Sequence, residues 1–548
     1  MNQLISRFMS IKDRRRFALI AVLFAAAVMI RALSAGAEYL PILDDSIQYI
    51  TYPSVSDYFA LIKVQGLFSS RPLAAIIDLF VIGQMNECLL VPALFLSAIH
   101  GIAGALFLRL FDKIWGTGTA FAVFYALLPL GVEGTYWLSA SSRIVTGLFF
   151  AAIAANLLED FIDSGKWRYL AAFPIAALLS YGFYEQILVV SFTLSILQFL
   201  RRVRTSRRAW GAMLVFPMLA AYFAFTSLNT VEGVLSSRIQ IAVPIGNWYY
   251  DTFLPDVLRQ IGAAFIKGGT RTLFVGFVRG LELCIESFGG VLYFVGALLV
   301  GAALYFVTPH KTKTKLQIQR FGVYIWGILL FLAPITPFLI IGNPWFSLRA
   351  TVPSFIGAGL LVDSILRLIL RRERIYAIFC ALIAAICMIA GASEVNDYHD
   401  IGEYDNVLAG AILDRADEMS GRVGFLCVEE IPIKGQNYSY HEHVASVGGS
   451  DWALYGKLTA INSKWGGFYP VPLGVDGFSF YKAWNQSIKR ISGFDQLWLW
   501  DSDNASLTKM QAVKLDTGEQ DYEILFEDGT AWGRVFEEDV YGYIEIYE

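Results

Sequence analysis

Two adjacent carboxylates, Asp44 and Asp45, stand just past the first apolar segment of the chain. Neighbouring acids at a membrane surface are costly because they repel each other and are partly desolvated. Such a pair is typical of a site where one carboxylate takes a proton. Since adjacent side chains of an extended segment point in opposite directions, we expect the two acids to have different roles. The pair could also hold a divalent cation through its oxygens, or cap a helix in a solvated loop.

The composition around this pair is that of a membrane protein. Of the 548 residues, 56% are hydrophobic, and the mean hydropathy is +0.52, which excludes an ordinary soluble domain. Residues 1–392 carry 32 Lys and Arg against 20 Asp and Glu, whereas residues 393–548 carry 11 against 27. We therefore predict a basic α-helical multi-span domain over 1–392 and an acidic α+β domain over 393–548.

About eleven apolar segments are long enough to cross a hydrocarbon core of about 30 Å. The run from Tyr169 to Leu200 is too long for one span, and we divide it in two at Tyr181–Glu185. The run 72–86 begins with Pro72, which suits the first turn of a helix, and we interpret it as a helix along the membrane. The other spans are 17–35, 88–110, 118–138, 144–161, 209–229, 289–308, 321–341, 347–369 and 375–392.

Basic clusters accompany alternate spans, so that with eleven spans every cluster falls on one side of the membrane. By the positive-inside trend this side is cytoplasmic. The N-terminus is then inside the cell, and the acidic domain is outside. The clusters are Lys12 with Arg14–Arg16, Arg109 with Lys113, Lys166 with Arg168, Arg201–Arg208, Lys311–Lys315 and Arg371–Arg374.

The outer side then contains the Asp pair and further polar residues. Outer arginines run against the usual charge distribution, and a guanidinium suits the oxygens of a lipid phosphate. They could instead extend toward headgroups, and Glu185 could be the partner of a nearby arginine. The long outer segment 229–290 has the mixed pattern of interfacial helices. The outer candidates for substrate binding are Arg71, Arg143, Tyr184, Glu185 and Arg349.

This arrangement resembles the GT-C superfamily of integral-membrane glycosyltransferases, and most of all the glucosyltransferase II-type enzymes that modify O-antigen and related surface glycans. The resemblance covers 1–392. It rests on the Asp pair after the first span, Ser70–Leu73 before an interfacial helix, Tyr184–Glu185 and a late outer loop with Arg349. In many relatives the second acid is Glu, where this chain has Asp45, which leaves the roles within the pair open.

The resemblance implies a GT-C fold with an outer active site that opens to lipid. The donor would be a hexose such as glucose on a polyprenyl phosphate, and the acceptor a surface glycan or lipid-linked acceptor. Transfer would be inverting, with Asp44 as base and Asp45 as its partner. The resemblance demands no metal, although the two acids could hold a divalent cation, and it implies no other cofactor and no nucleic acid. It also implies the bacterial cytoplasmic (inner) membrane. Arg71, Arg143, Tyr184, Glu185 and Arg349 would contact substrate.

Three other functions share the multi-span body. A transporter or flippase of lipid-linked glycan predicts charges near mid-span and internal repeats; Asp363 is one such charge, and no repeat is evident. A ligase or polymerase of surface polysaccharide also has a large outer loop, but an Asp pair directly after the first span fits the transferase better. A surface protein that only binds a ligand needs a single anchoring span.

The acidic part alternates apolar and polar residues in short runs. This pattern predicts strands at Arg422–Cys427, Gln496–Trp500 and Tyr541–Tyr547, after a helix over Tyr404–Met419. The two histidines of His441–His443 would share one face of a strand, but two ligands without a third are a weak metal motif. The five cysteines include no CxxC pair, so we predict neither a redox nor a metal site from them.

The topology can be tested by labelling from outside the cell. In a cysteine-free variant, we expect Lys313→Cys to be protected from a membrane-impermeant maleimide in intact cells, because its basic cluster faces the cytoplasm. A cysteine introduced into the acidic domain is the control, and it should react. Labelling of Lys313→Cys in intact cells would overturn the span count.

Overall fold

A computed structural model describes the fold of most of the chain. The chain is a multi-span helical membrane protein with a C-terminal domain built on a sheet, as the sequence predicts. Of the features considered above, Ser70, Lys311–Lys315 and His441–His443 lie outside the described residues. These residues are 11–34, 37–50, 56, 60, 63, 71–85, 87–228, 241–308, 320–342, 344–432, 445–474, 478–479, 490–516, 520–537 and 541–547.

The helices of the membrane part follow the predicted spans closely. The helices are α1 (Ile11–Ala32), α2 (Pro72–Ile77), α3 (Leu90–Trp115), α4 (Thr119–Leu127), α5 (Leu138–Ser164), α6 (Trp167–Tyr181), α7 (Glu185–Arg202), α8 (Val215–Leu228), α9 (Leu254–Gly262), α10 (Gly276–Glu286), α11 (Phe288–Val307), α12 (Arg320–Leu332), α13 (Phe355–Ile369) and α14 (Glu373–Asp414). A π-helical turn, Asp78–Ile82, continues α2, and a 3₁₀ segment, Arg207–Leu214, leads into α8.

Two interruptions in the bundle bear on the site. The long run 169–200 divides between α6 and α7, where the sequence predicted a break. The third predicted span is not continuous, since α4 is followed by the 3₁₀ turn Pro129–Gly131 and by a single helical turn, Val132–Thr135. Pro129 has no N–H to continue the hydrogen bonding of α4. Eight helical segments of the described chain are long and apolar enough to cross a membrane.

Two of the basic clusters, Arg109 with Lys113 and Arg201–Arg208, meet at one end of the bundle. Arg109 Nη2 lies 2.8 Å from Asp160 Oδ2, and Lys113 Nζ lies 2.7 Å from Asp163 Oδ2. Arg202 contacts Asp163 as well. The ends of α3, α5 and α7 therefore lie side by side, and we call the opposite end of the bundle the outer end.

Asp363, the charge considered as a mark of a transporter, lies near this basic end. Its buried carboxylate accepts hydrogen bonds from the Gly118 N–H at 2.9 Å and from the Tyr376 hydroxyl, and it lies 3.2 Å from Arg367 Nε. These contacts join the turn after α3 to α13 and α14. Asp363 is thus a structural anchor and gives no support to a transport path.

One helical segment long enough to cross a membrane, Tyr249–Glu286, contacts the bundle at its outer end. Gln260 accepts a hydrogen bond from the Phe346 N–H at 2.9 Å, and Arg279 Nη1 lies 3.3 Å from Asp397 Oδ2. Both partners lie at or beyond the outer ends of their spans. The segment therefore extends across the outer ends of several helices, a position that agrees with an interfacial helix.

The C-terminal domain continues from the membrane without a break in helix α14, which runs through the predicted boundary at 392. Strands are found at all three predicted places. The elements of the domain are β1 (Arg422–Leu426), α15 (Asp451–Ile461), β2 (Tyr469–Leu473), β3 (Phe478–Ser479), β4 (Gln496–Asp501), β5 (Ser506–Lys514), β6 (Gln520–Phe526), β7 (Ala531–Glu537) and β8 (Tyr541–Ile546). The sheet order is β2-β1-β4-β5-β6-β7-β8-β3, with β1 parallel to β2 and β4 and the other pairs antiparallel.

The outer half of α14 belongs to the core of this domain. Leu408 and Ile412 of α14 are fully buried with Phe425 of β1, Leu454 of α15 and Trp498 of β4. A membrane helix and the soluble sheet thus share one hydrophobic core. This shared core limits independent movement of the domain against the end of the bundle.

The packing of α12 against α13 depends on glycine at their crossing. A Cβ on Gly357 would lie 2.1 Å from Phe331 N and 2.3 Å from the Gly327 carbonyl oxygen. Small residues let membrane helices approach closely.

We expect Gly357→Ala to destabilise the protein by about 2 kcal/mol or more through this overlap, seen as a lower Tm in detergent. Gly262→Ala is the control, since no atom lies within 4 Å of its Cβ. Equal Tm values for the two variants would contradict the packing.

Candidate active site

A cleft of about 440 Å³, counting its open mouth, brings together four of the predicted site residues. Arg71, Tyr184, Glu185 and Arg349 contribute its charged and polar groups. Most of its remaining lining is apolar, so the cleft offers positive charge next to a surface suited to hydrocarbon. That remaining lining comprises Gln186, Pro337, Phe338, Ile341, Pro344 and Trp345.

Backbone contacts place Arg71 at the cleft. Pro72 occupies the first turn of α2, where its missing N–H costs nothing. The N–H groups of Leu73 and Ala74 donate to the Gly182 carbonyl at 3.0 and 3.4 Å. A Cβ on Gly182 would lie 2.5 Å from Leu73 Cγ, so glycine permits this approach. The start of α2 is therefore attached to the break between α6 and α7.

The same break supplies the partners of Arg71. Its Nε and Nη2 each lie 3.1 Å from one carboxylate oxygen of Glu185, and its guanidinium lies 4.3 Å from the ring centre of Tyr184. Arg71 is 6% exposed, whereas the Glu185 side chain is 35% exposed. A two-point pair stacked on an aromatic ring fixes the plane of the guanidinium. Glu185 is thus the partner of an arginine, one of the two interpretations of the sequence.

Arg349 approaches the cleft from the 3₁₀ segment Leu348–Ser354, directly before α13. Its guanidinium lies 5.0 Å from the ring centre of Trp137. Gln186 is buried next to Glu185, and its Nε2 donates to the carbonyls of Pro334 and Ala350 at 2.8 and 2.9 Å. Gln186 therefore joins α7 to the two chain segments that flank the cleft. Gln186 is not among the candidates that the sequence predicts for substrate binding, although it directly follows Tyr184–Glu185.

The acid pair lies in a turn held by a buried network. Asp45 Oδ2 accepts from the Tyr39 hydroxyl at 2.5 Å, and Oδ1 accepts from the Ser139 N–H at 3.1 Å and its hydroxyl at 2.6 Å. The Tyr39 oxygen accepts in turn from the Leu138 N–H at 2.9 Å. Burial raises the pKa of Asp45 to about 7, against the opposing effect of the Ser139 and Tyr39 hydrogen bonds.

Asp44 has a different environment from its neighbour. Asp45 is fully buried, whereas Asp44 is half-buried at the start of a helical turn. Leu43, directly before it, has φ of +41°, a conformation that is strained for a residue with a branched side chain. The turn thus leaves the Asp44 side chain partly exposed and buries that of Asp45, which agrees with separate roles for the two acids.

Three consecutive residues connect the acid turn with the cleft. Trp137 stacks with Arg349, Leu138 binds Tyr39, and Ser139 binds Asp45. They lie where the third predicted span, which is broken at Pro129, meets α5. This short piece of the chain therefore holds both Arg349 and the acid turn.

Arg143 lies elsewhere in the outer end. Its Nη2 donates to Gln48 Oε1 at 3.2 Å and lies 3.5 Å from Asp78 Oδ2, while the Tyr49 hydroxyl donates to Asp78 Oδ1 at 3.2 Å. Arg143 is buried and does not belong to the lining of the cleft as far as the chain is described. It joins α5 to the first outer loop, and its contact with substrate remains a prediction. Asp78, missed in the sequence, stands out as an acid in an apolar run.

The surroundings of the acid pair bear on whether it could hold a cation. Among the residues that the structure describes, no group of three or more His, Cys, Asp and Glu side chains could hold a metal ion. Both oxygens of Asp45 already accept hydrogen bonds.

Comparison with known proteins identifies no family for this chain. No protein-family model and no curated protein matches it. The chain is similar to crystal structures of ArnT from Cupriavidus metallidurans, each covering 83% of this chain and 88% of that one. The apo structure has 12% identity and a TM-score of 0.32, and the structure bound to undecaprenyl phosphate has 13% and 0.29.

The position of Arg349 in the wall of the cleft predicts a role in anion binding. If the cleft holds the lipid phosphate that the sequence predicts, Arg349→Ala should weaken binding of undecaprenyl phosphate about tenfold to a hundredfold, because a charge-assisted hydrogen bond contributes about 1.5–3 kcal/mol. Binding to the purified protein in nanodiscs measures this. Arg259→Ala is the control, an exposed outer arginine outside the cleft lining. Equal affinities of the two variants would remove Arg349 from the site.

Proposed function

We propose that the protein is a glycosyltransferase of the GT-C type, which moves a hexose from a polyprenyl phosphate to a surface glycan or lipid-linked acceptor. One observation carries the proposal. At the end of the bundle opposite its basic clusters, a cleft with two arginines and an apolar wall is joined to a turn with two carboxylates. These are the groups needed to hold a lipid phosphate and to take a proton.

The donor fits the two sides of the cleft. A phosphate between Arg71 and Arg349 would meet guanidinium groups suited to its oxygens. The isoprenoid chain would lie against Phe338, Ile341 and Trp345, the apolar part of the lining. Glu185 balances the charge of Arg71 while the cleft is empty, which lowers the cost of keeping a buried guanidinium there.

The reaction is a direct displacement. An acceptor hydroxyl oxygen attacks the anomeric carbon of the donor sugar, and Asp44 takes the hydroxyl proton. The bond between the anomeric carbon and the phosphate oxygen breaks, and its electron pair leaves with the polyprenyl phosphate. Arg71 and Arg349 stabilise the negative charge that grows on that phosphate. Attack from the face opposite the leaving group inverts the anomeric centre.

Asp44 is the better candidate for the base. A base must reach the acceptor hydroxyl, and Asp44 is the more exposed acid of the pair. Asp45 is buried, and each of its oxygens already accepts a hydrogen bond. We assign Asp45 the role of orienting the turn.

The finer parts of the proposal concern cell location and acceptor. We infer a bacterial cytoplasmic membrane, with the N-terminus inside and residues 393–548 outside as an extracytoplasmic domain. The meeting of two of the basic clusters at one end of the bundle supports this orientation. The glucosyltransferase II-type specificity, a single hexose added to a surface glycan, rests on the resemblance of the sequence motifs.

The base assignment is tested by Asp44→Asn. We expect transfer to fall by about 10²- to 10⁴-fold, the usual contribution of a general base, with unchanged expression and membrane insertion. Glycan analysis of cells carrying each variant, together with transfer assays in membranes, measures the loss of one sugar branch. Glu87→Gln changes an exposed acid of the same outer loop and should keep full activity. Full activity of Asp44→Asn would refute the assignment, and a lost polymer instead of a lost branch would favour a ligase.

A further inference from the structure

A lysine of the C-terminal domain lies buried behind the acid turn. Lys457 belongs to α15 and is 2% exposed. Its Nζ donates to the Pro41 carbonyl at 3.4 Å. Pro41 leads directly into the strained Leu43 and the acid pair. A residue more than 400 positions away along the chain thus contacts the backbone of the turn.

Two buried carboxylates face this ammonium from two other elements. Asp405 of α14 and Asp45 of the turn are both fully buried, and both interact electrostatically with Lys457. Burial lowers the pKa of Lys457, and the two acids oppose this. Asp405 also accepts from the Val447 N–H at 3.1 Å, which fixes the turn that precedes α15. Asp45 also interacts with the titratable side chains of Asp44, Tyr39, Tyr136 and Tyr398.

The neighbouring residue of α15 brings the helix into backbone contact with the same turn. A Cβ on Gly456 would lie 2.8 Å from Ile47 Cβ and 3.0 Å from Ile47 N. Gly456 therefore permits an approach that no other residue type would allow without movement. Lys457 and Gly456 together fix α15 against the turn, one through charge and the other through shape.

We propose that Lys457 is a positioning residue of the transfer reaction, through which the C-terminal domain holds the Asp44–Asp45 turn in its active arrangement. The proposal rests on the proposed function and extends it to a domain outside the resemblance to known transferases. Its ammonium binds the backbone at Pro41 and favours the charged form of Asp45. Full activity then depends on the docked C-terminal domain.

A role of Lys457 in stability alone would explain the same contacts. The experiment must therefore distinguish a loss of stability from a loss of positioning. A buried ion pair can often be replaced by apolar or neutral residues without loss of stability, whereas removal of one partner leaves a costly buried charge. The informative variant therefore neutralises both partners, Asp405→Asn with Lys457→Met, in the full chain. Lys457→Met alone and Lys464→Met, an exposed lysine just after α15, complete the set.

We expect the double variant to keep the Tm of the wild type, while its kcat for transfer falls about tenfold to a hundredfold with little change in KM for the donor. The pH test uses Lys457→Met alone, which removes the ammonium and no acid. This disfavours the charged form of Asp45, so the acid limb of the pH–rate profile should move to higher pH in that variant. Lys464→Met should match the wild type in each measurement. A double variant with wild-type kcat, or a Lys457→Met variant with a wild-type pH profile, would overturn the proposal.

Hydrogen exchange gives a second readout that does not need activity. If Lys457 positions the turn, residues 39–49 should exchange faster in the double variant than in Lys464→Met, with exchange in the bundle unchanged. If the wild type transfers no sugar, the proposed function fails, yet faster exchange of this segment would still support the positioning role. Equal exchange in the two variants would refute it.

Discussion

The buried carboxylate of Asp45 is the constraint on which the outer end of this protein depends. A carboxylate removed from water must be compensated by the hydrogen bonds it accepts. Tyr39 and Ser139 donate these bonds, and they come from the start of the first outer loop and the start of α5. The acid turn cannot move away from α5 without exposing this network. Through Trp137, next in the same backbone, the constraint extends to Arg349.

Charge is arranged differently at the two ends of the bundle. At the basic end, lysines and arginines pair with Asp160 and Asp163 near the helix ends. At the outer end, Arg71 pairs with a half-exposed Glu185 in a cleft that has an apolar wall. A pair of this kind can exchange or share its partner when an anion enters, because the carboxylate is not fully desolvated. This difference is why we place lipid phosphate recognition at the outer end.

Much of this arrangement could be predicted from local sequence patterns. The spans, the break at Tyr181–Glu185 and three strands follow from hydrophobic periodicity, and Arg71 and Arg349 were selected because outer arginines are unusual. These signals depend on a few neighbouring residues. The sequence also predicts different roles for Asp44 and Asp45, but it does so by assuming an extended segment. The structure instead places both acids in a helical turn, where Asp45 is buried and Asp44 is half-buried.

The contacts between distant segments could not be predicted in this way. Arg143 belongs to the same class of outer arginine as Arg349, yet it pairs with Asp78 instead of facing the cleft. Lys457 lies in an apolar helix, and no pattern in the residues around it predicts its contact with the acid turn. Long-range packing decides which of several similar polar residues come into contact. A single sequence does not show these contacts directly.

A cryo-EM structure of the purified full chain in nanodiscs with undecaprenyl phosphate tests most directly whether the cleft binds the lipid donor. We expect phosphate density between the guanidinium groups of Arg71 and Arg349, with the isoprenoid chain along Phe338 and Trp345. We also expect this phosphate on the side of the cleft nearest the Asp44 turn. Lipid phosphate bound at another place, with no density in the cleft, would contradict the proposed donor site.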